Sequence, residues 1–288
     1  SAVHAGTICV DAAAGGAANG SSWTDAYTNL QDALSAATSG DEIWVRAGTY
    51  KPGTARTDTF QLANGVALYG HFAGTESAVS ERDLDNAANK TILSGDLDGD
   101  DSANIAHDEP TRDDTSFHVV TTLNAGNSTV LDGFTITSGT GTSSKGGGIY
   151  CINSSWATIR NCIIKDNSAY YYGGGIYVIN SLGFSMEGCT ITGNVAESKG
   201  GGLYTENSTV TLTDCTVEGN IADPAGNWGG GGIYAYNSEI SVSGCTIDGN
   251  TAKYGGGIYS RSTLTMSGCR VRGNTASGQG GGLYDIYG

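Results

Sequence analysis

The stretch GGGLYTENSTVTLTDCTVEGNIA, residues 200–222, contains the pattern that decides the fold of this chain. Within it, Val210 and Leu212 alternate with threonines, which is the two-residue period of a half-buried strand. Cys215 and Val217 alternate in the same way beyond a corner. The stretch therefore predicts about three short strands separated by bends, with no helical period.

The same pattern recurs through the second half of the chain. Three glycines, Ile or Leu, and then Tyr end at six positions: Tyr150, Tyr177, Tyr204, Tyr234, Tyr259 and Tyr284. A second phrase runs from a cysteine to an asparagine five residues later, with its cysteines at Cys162, Cys189, Cys215, Cys245 and Cys269. Copies spaced by 25 to 30 residues are typical of stacked units. Short strands without hairpin turns predict an all-β parallel β-helix, in which each strand lies over its copy ~4.8 Å away.

The repeated residues have physical roles in such a coil. Inward Ile, Leu, Val, Cys and Ala columns give a continuous core. Asparagines at the bends pass side-chain amide hydrogen bonds from coil to coil and tolerate a left-handed backbone. The glycine triplets permit backbone angles and close approaches that a Cβ forbids. The alternative for the glycines is a phosphate-binding loop, but that loop needs a helix N-terminus and usually a lysine, and neither follows them.

The unit GGG-I/L-Y, then N-S, then C-x-I/V-x-x-N-x-A resembles the repeats of right-handed parallel β-helix proteins of the pectate-lyase-like superfamily. It is especially similar to repeats of bacterial surface proteins and polymorphic outer-membrane proteins. Residues 30–50 and 91–96 resemble the opening coils of such proteins. The resemblance implies a right-handed β-helix over nearly the whole chain. It selects no activity, because the superfamily includes polysaccharide lyases, hydrolases, adhesins and inert scaffolds.

Composition agrees with this fold and restricts the partners. The 288 residues include 46 glycines and 3 prolines, and 38% are hydrophobic, which suits one sizeable core of roughly nine or ten coils. The net charge of −15 argues against a nucleic acid or an anionic membrane as partner. No apolar run approaches the ~18 residues of a membrane span. Residues 2–5 resemble a signal-peptide cleavage site, so we expect a secreted or cell-surface protein.

One domain is expected, because no linker or abrupt change of composition divides the chain. Its parts are a cap over residues 1–42, irregular coils with two polar insertions over residues 43–137, and regular repeats over residues 138–288. The cap is expected to hold a strand at Thr7–Val10. Apolar residues spaced by three and four predict an amphipathic helix from Trp23 to Ala37, with Ser22 as N-cap and Gly40 at its far end. The helix is expected to cover the first coil; the alternative is a partner-binding helix.

Five of the seven cysteines occupy one repeat position and are expected to stack as a buried column. A disulfide needs a near-perpendicular torsion across the sulfurs, and a metal needs ligands that converge on a point. The column therefore predicts reduced thiols that act as small hydrophobes. Cys9 and Cys151 lie outside the column and receive no role.

The second insertion, Gly95 to Thr115, carries the candidate metal site. Its carboxylates at i, i+2 and i+4 around a glycine match the first half of a calcium loop, and the candidate ligands are Asp96, Asp98, Asp100 and Asp101. The twelfth position of an EF-hand is His107 rather than Glu, so Asp108 or a later acid would supply the missing ligand. The alternative is a solvated acidic loop without calcium.

The regular repeats show no pair of carboxylates that converges for catalysis, and no catalytic residue is assigned. An enzyme of this shape would be a polysaccharide lyase or a glycoside hydrolase. Its catalytic residues would then lie among Arg82, Asp83, Asp96, Asp98, Arg112 and His118.

The six repeat tyrosines are the candidate binding site. Each follows an inward Ile or Leu, so the tyrosines are expected to point outward as an exposed aromatic strip, with Tyr170–Tyr172, Trp228 and Tyr254 leading into it. Such a strip suits sugar rings or protein partners. The alternative is that the tyrosines stack only to stabilise the coil.

No polar cap follows Tyr284, so we expect either a longer chain or head-to-tail association into rods or filaments. The sequence thus favours a secreted or cell-surface scaffold or adhesin whose partners are further copies, other surface proteins or carbohydrate. The alternative is a lyase or hydrolase that acts on an extracellular polysaccharide.

Overall fold

The computed structural model describes residues 6–105, 108–126, 128–141, 145–154, 157–223 and 226–286. Over these residues the chain winds into a right-handed parallel β-helix. All pairings between the described strands are parallel, as the repeat pattern predicts.

The elements follow one another in a regular order. The irregular half contains β1 Thr7–Val10, β2 Glu42–Arg46, β3 Gly48–Tyr50, β4 Phe60–Gln61, β5 Ala67–Phe72, β6 Thr91–Ser94, β7 Val120–Leu123, β8 Val130–Asp132 and β9 Phe134–Thr137. The repeats contain β10 Thr140–Gly141, β11 Ile149–Ile152, β12 Thr158–Arg160, β13 Ile163–Lys165, β14 Ser168–Ala169, β15 Ile176–Ile179, β16 Leu182–Glu187, β17 Thr190–Thr192, β18 Val195–Ala196, β19 Leu203–Glu206, β20 Thr209–Thr213, β21 Thr216–Glu218, β22 Ile221–Ala222, β23 Ile233–Ser243, β24 Thr246–Asp248, β25 Thr251–Tyr254, β26 Ile258–Ser267, β27 Arg270–Arg272, β28 Thr275–Gln279 and β29 Leu283–Asp285. The helical elements are α1 Leu30–Ala36 and short 3-10 helices at Val79–Glu81, Ala87–Asn89 and Pro110–Arg112.

The strands stack into three sheets that run along the coil axis. The first sheet is nine strands deep along the path β1, β2, β5, β8, β12, β16, β20, β23, β26, which agrees with the expected number of coils. A second path through β11, β15 and β19 joins it at the long strand β23. The second sheet holds β3, β6, β9, β13, β17, β21, β24 and β27, and the third holds β10, β14, β18, β22, β25 and β28.

Equivalent residues of successive repeats pair directly. Ile176 pairs with Leu203, Leu203 with Ile233, and Ile233 with Ile258. All four side chains are buried in one core cluster. The predicted apolar column behind each glycine triplet is therefore confirmed.

The repeat cysteines belong to the same core as reduced thiols. Each thiol donates a hydrogen bond to a backbone carbonyl; Cys189 Sγ, for example, donates to Ile159 O of the preceding coil at 3.4 Å. Burial raises the pKa of Cys162 to about 12, which favours its neutral form. The prediction of a reduced column is confirmed, and Cys9 and Cys151 are also free and buried.

Asparagines form the predicted amide ladder at one corner, and they are buried except for the partly exposed Asn274. Its members are Asn167, Asn194, Asn220, Asn250 and Asn274. Asn220 Nδ2 donates to Asn250 Oδ1 and to Ile191 O, both at 2.9 Å. Its Oδ1 accepts from Asn194 Nδ2 at 2.9 Å and from Asn194 N at 3.0 Å. These four bonds use both amide hydrogens and both acceptor positions of a fully buried side chain.

A second corner uses an Asn-Ser pair. Asn180, Asn207 and Asn237 are left-handed, with φ of 50°, 49° and 47°, as expected for asparagine at a tight bend. The serine that follows each asparagine is buried and forms a ladder of its own. Ser208 Oγ, for example, accepts from Ser181 N at 3.1 Å.

The glycine triplets meet both conditions that the sequence predicts. Gly200 has φ of +65°, in the left-handed region. At Gly202, an added Cβ would lie 2.6 Å from Gly232 O of the next coil, so only a hydrogen fits there.

The N-terminal helix is shorter than predicted. It begins at Leu30 rather than after Ser22, because Asn29 accepts from Gln31 N through its side chain and caps the helix there. It ends at Ala36, ahead of Gly40. The helix buries Leu30, Ala33 and Leu34 in the main core, which agrees with a role as cover for the first coils. No helix among the described residues is long and apolar enough to cross a membrane.

Trp23, predicted as helical, instead packs against Trp44 and Phe72. Its indole N–H donates to Glu76 O at 2.9 Å, in the first polar insertion, residues 73–89. The aromatic ring therefore joins the N-terminal segment to this insertion, and this tertiary contact replaces the predicted helical turn.

Buried arginines hold both polar insertions to the coil. Arg82, in the first insertion, lies with Nη2 3.3 Å from Asp132 Oδ2 at the end of β8. Arg112, in the second, donates from Nε to Thr140 Oγ1 at 3.0 Å and pairs with Asp101 at 3.4 Å. The insertions are thus packed parts of the fold rather than free loops.

Replacing Asn220 by Ala is expected to lower the free energy of unfolding by about 2–4 kcal/mol, because buried amide and backbone groups of both neighbouring coils lose their partners. Urea denaturation followed by circular dichroism measures the change. Thr211→Ala, at an exposed position of the same repeat, is the control and should change stability by less than about 0.5 kcal/mol. Similar losses in the two variants would contradict the ladder's role.

Candidate functional site

The six repeat tyrosines stack along the coil as predicted. Strand register places each tyrosine on its copy, and the ring centroids of consecutive tyrosines lie 4.6 to 5.5 Å apart. His118 extends the stack beyond Tyr150, with ring centroids 4.3 Å apart. Burial lowers the pKa of His118, and its Nδ1 is hydrogen-bonded to Gly146 O at 2.9 Å.

The predicted exposure of this strip is wrong at its centre. Tyr204 is only 3% exposed, and Tyr177 and Tyr234 are also buried. The rings do point away from the main core, since they form a separate apolar cluster. Other side chains cover them, and burial raises the pKa of all three hydroxyls. The binding role assigned to the six tyrosines stays a prediction, and the central three offer no open face to a ligand.

The cover comes from Lys145, Tyr172 and Lys199. Together with the adjoining Tyr170, Tyr171 and Trp228, these residues form a layer that we call the outer strip. Tyr172 stacks on Tyr204 with ring centroids 4.8 Å apart. The backbones of Lys145 and Lys199, in the coils on either side, form parallel β-bridges with that of Tyr172.

Lysine ammonium groups lie over the rings of this strip. Lys199 Nζ is 4.0 Å from the Trp228 ring centroid and 5.1 and 5.2 Å from those of Tyr172 and Tyr234. Such cation–π contacts stabilise both partners. Burial also lowers the pKa of Lys199.

The three most exposed aromatic side chains among the described residues belong to the outer strip. Trp228 is 47% exposed, and Tyr170 and Tyr171 are exposed to a similar degree. These three aromatics were among the residues expected to lead into the tyrosine strip, whereas sequence reasoning missed the lysines. A signal for them exists, because the residue just before each glycine triplet forms a column of its own, beginning Lys145, Tyr172, Lys199.

The second insertion gathers four carboxylates, but not the four predicted. Asp96, Asp98, Asp100 and Asp114 each place an oxygen within 4.8 Å of the others. Asp101 instead turns inward to Arg112, with Arg112 Nη1 3.4 Å from Asp101 Oδ2.

Asp114 supplies the acid that the predicted calcium loop lacked. Its Oδ2 accepts from Leu97 N and Asp98 N, both at 2.9 Å. Its Oδ1 is buried and has no hydrogen-bond partner among the described residues. The neighbouring Asp98 carboxylate raises the pKa of Asp100, as expected where like charges crowd together. An all-oxygen donor set of this kind fits a hard divalent cation; His107 lies outside the described residues.

The residues named for possible catalysis do not form one site. Arg82 and Arg112 are buried in ion pairs at separate insertions, and His118 is stacked on Tyr150. Asp83 is exposed, and its Oδ1 accepts from Asp85 N at 3.2 Å. Asp96 and Asp98 belong to the acidic cluster.

Comparison with known proteins supports the fold. A family model described as "Right handed beta helix region" matches residues 115–276. No curated protein matches the sequence of the chain. A crystal structure of pectate lyase Pel9A is similar with a TM-score of 0.51 and 15% identity, covering 99% of this chain and 75% of that one. A rhamnogalacturonan lyase is similar with a TM-score of 0.47 and 13% identity, covering 91% and 72%.

At such low identities the structural likeness shows a shared fold alone. The match to the family model shows family membership, because it covers more than half of the 288 residues and contains most of the repeats. The chain therefore belongs to the right-handed β-helix family.

Proposed function

We propose that this protein is a secreted or cell-surface scaffold or adhesin that binds a polysaccharide along its outer strip. The observation that carries the proposal is the exposure of three aromatic side chains of the outer strip, Tyr170, Tyr171 and Trp228. Flat aromatic faces with polar edges suit sugar rings. The Lys199 ammonium, 4.0 Å from the Trp228 ring centroid, helps to order that ring, which lowers the entropy cost of binding.

The alternative, a polysaccharide lyase or glycoside hydrolase, has the support of a fold shared with pectate lyase. Fold alone does not specify chemistry. Within the described residues, Arg82 and Arg112 are both engaged in buried ion pairs rather than open to a substrate. We therefore keep the scaffold or adhesin as the proposed function.

Calcium is the cofactor that we propose for the second insertion. Four carboxylates crowd together there, and the buried Asp114 Oδ1 lacks a partner among the described residues. Lys51 is a basic residue beside this loop, where its Nζ donates to Leu97 O at 3.1 Å. A bound Ca²⁺ would relieve this repulsion and hold residues 96–100 against Asp114. Its proposed role is structural.

Association between copies is the last part of the proposal. In the last described coil, Leu283 is 42% exposed, whereas its neighbour Ile258, one coil earlier, is fully buried. Val271 and Ile286 are exposed on the same coil. A further coil, whether from more of the same chain or from another copy, would cover these side chains and pair with the strand edges. Supplied by another copy, it would form a heterologous contact that can propagate.

Trp228→Ala is expected to weaken binding to a soluble polysaccharide about five- to thirtyfold, which corresponds to about 1–2 kcal/mol. A panel of neutral and acidic polysaccharides in affinity gel electrophoresis measures the retardation. Tyr236→Ala removes an exposed aromatic ring outside the outer strip and should bind like the wild type. Equal retardation of the two variants, or no retardation of the wild type by any member of the panel, would remove the proposed site. A rise in absorbance from new double bonds during incubation would favour the lyase instead.

Calcium at saturating concentration is expected to raise the melting temperature by about 2–5 °C, since it binds the folded state alone. Differential scanning calorimetry with Ca²⁺ and with a chelator gives the shift. Asp114→Asn should abolish it, whereas Asp85→Asn, an exposed carboxylate of the other insertion, should preserve it. Calcium would be excluded if the wild type melted at one temperature in both conditions.

Head-to-tail association predicts a sedimentation coefficient that rises with protein concentration. Leu283→Asp should suppress the rise, because it places a charge on the apolar end face. Leu182→Asp is the matched control, since Leu182 is exposed on the side of the coil. Monomers at all concentrations would refute association, as would suppression by both variants alike.

A further inference from the structure

A continuous path of aromatic rings leads from the surface of the coil to the buried Tyr204. Tyr171 is 46% exposed, and its ring centroid lies 5.9 Å from that of Tyr172. Tyr172 in turn stacks on Tyr204, with ring centroids 4.8 Å apart. Within the tyrosine column, Tyr204 also stacks on Tyr177 at 5.2 Å and on Tyr234 at 5.3 Å. Rings at these separations are in contact, so an electron has only short steps to make between them.

The hydroxyl of Tyr204 has a proton acceptor in place. It donates to Glu206 Oε2 at 2.8 Å, and both residues lie on β19. Burial and the Glu206 carboxylate raise the pKa of this hydroxyl, so it keeps its proton at neutral pH. Removal of an electron from a phenol makes its O–H strongly acidic, and the proton then crosses a hydrogen bond that already exists. Oxidation of Tyr204 therefore leaves a neutral radical rather than a buried charge, which would be costly.

The rings stacked on Tyr204 are harder to oxidise, because lysine ammonium groups lie over them. Lys145 Nζ is 5.1 Å from the Tyr177 ring centroid and donates to the Tyr177 hydroxyl at 3.2 Å. Lys199 Nζ is 5.2 Å from the Tyr234 ring centroid. A cation beside a ring repels the positive charge that oxidation creates, whereas the carboxylate beside Tyr204 attracts it. The surrounding charges thus favour Tyr204 over its neighbours as the place where an oxidised ring comes to rest.

We propose that Tyr204 forms a long-lived tyrosyl radical, and that the stacked rings relay electrons from it to a strong one-electron oxidant at the surface. In this step one electron leaves Tyr204 and reduces the oxidant. The Tyr204 O–H bond breaks, and its proton forms a new O–H bond with Glu206 Oε2. A one-electron reductant in solution, such as a phenol, reverses the step and returns the proton to Tyr204. This electron-transfer activity goes beyond the proposed scaffold and does not depend on polysaccharide binding.

Flash photolysis tests the proposal. A ruthenium polypyridyl complex, excited in the presence of an electron acceptor, supplies the oxidant, and transient absorption records the neutral tyrosyl radical. The wild type should form a long-lived radical, and Tyr204→Phe should remove it. Glu206→Gln should lower the yield of this radical about tenfold, because the charge-assisted hydrogen bond that takes up the proton is lost.

Tyr50→Phe is the matched control. It removes the hydroxyl of another buried tyrosine, which donates to Arg46 O at 3.0 Å rather than to a carboxylate, and it should give the same radical yield as the wild type. Formation of the radical in the wild type should also be slower in heavy water, since a proton moves with the electron.

Circular dichroism of each variant confirms that it is folded. An undiminished yield of the long-lived radical in folded Tyr204→Phe or in folded Glu206→Gln would overturn the proposal, as would an equal loss in Tyr50→Phe. A wild type that gives only short-lived signals would overturn it as well. Equal rates of formation in light and heavy water would contradict the transfer of the proton to Glu206.

Discussion

The structure depends on hydrogen bonds between each residue and its copy one coil away. The backbone of each coil is satisfied only by its neighbours; Leu203 N, for instance, donates to Gly232 O at 2.9 Å. The side chains of the buried asparagines are also hydrogen-bonded to their copies one coil away. A buried amide without its hydrogen-bond partner would destabilise the fold. A slip of one residue would turn every core side chain outward and would separate the amides. This constraint favours a sequence in which the same residue type recurs at the equivalent position of each coil.

The same constraint explains how much of the fold could be predicted. Where the sequence repeats, direct stacking of equivalent residues was enough to predict the apolar column, the reduced thiols and the amide ladder. In the irregular half no repeat fixes the partners, and tertiary contacts decide. Trp23 was predicted to be helical but packs in an aromatic cluster. The insertions are anchored by Arg82 and Arg112, and no local sequence pattern predicts that these two side chains are buried.

The candidate sites show the same division. Stacking of the tyrosines was predictable, but the exposure of Tyr204 was not, because its cover comes from side chains outside the tyrosine column, such as Tyr172. The acidic run predicted a cluster of carboxylates. It could not show that Asp101 would turn to Arg112 or that Asp114 would replace it, since both outcomes depend on how the insertion folds back. The repeated residues build the coil, and features that distinguish one coil from another, such as Trp228, carry the proposed polysaccharide-binding function.

The most direct test of this account is a distance across the stack. Thr158 and Thr265 occupy one column, four coils apart through Ser185, Thr211 and Ser241. Spin labels at these two positions, introduced as cysteines with the partly exposed Cys269 replaced by Ser, report their separation by double electron–electron resonance. Stacked coils predict about 19 Å between the two backbones, four times the ~4.8 Å strand spacing, broadened by the label linkers. A narrow distribution well beyond about 30 Å, more than six such spacings, would contradict in-register stacking.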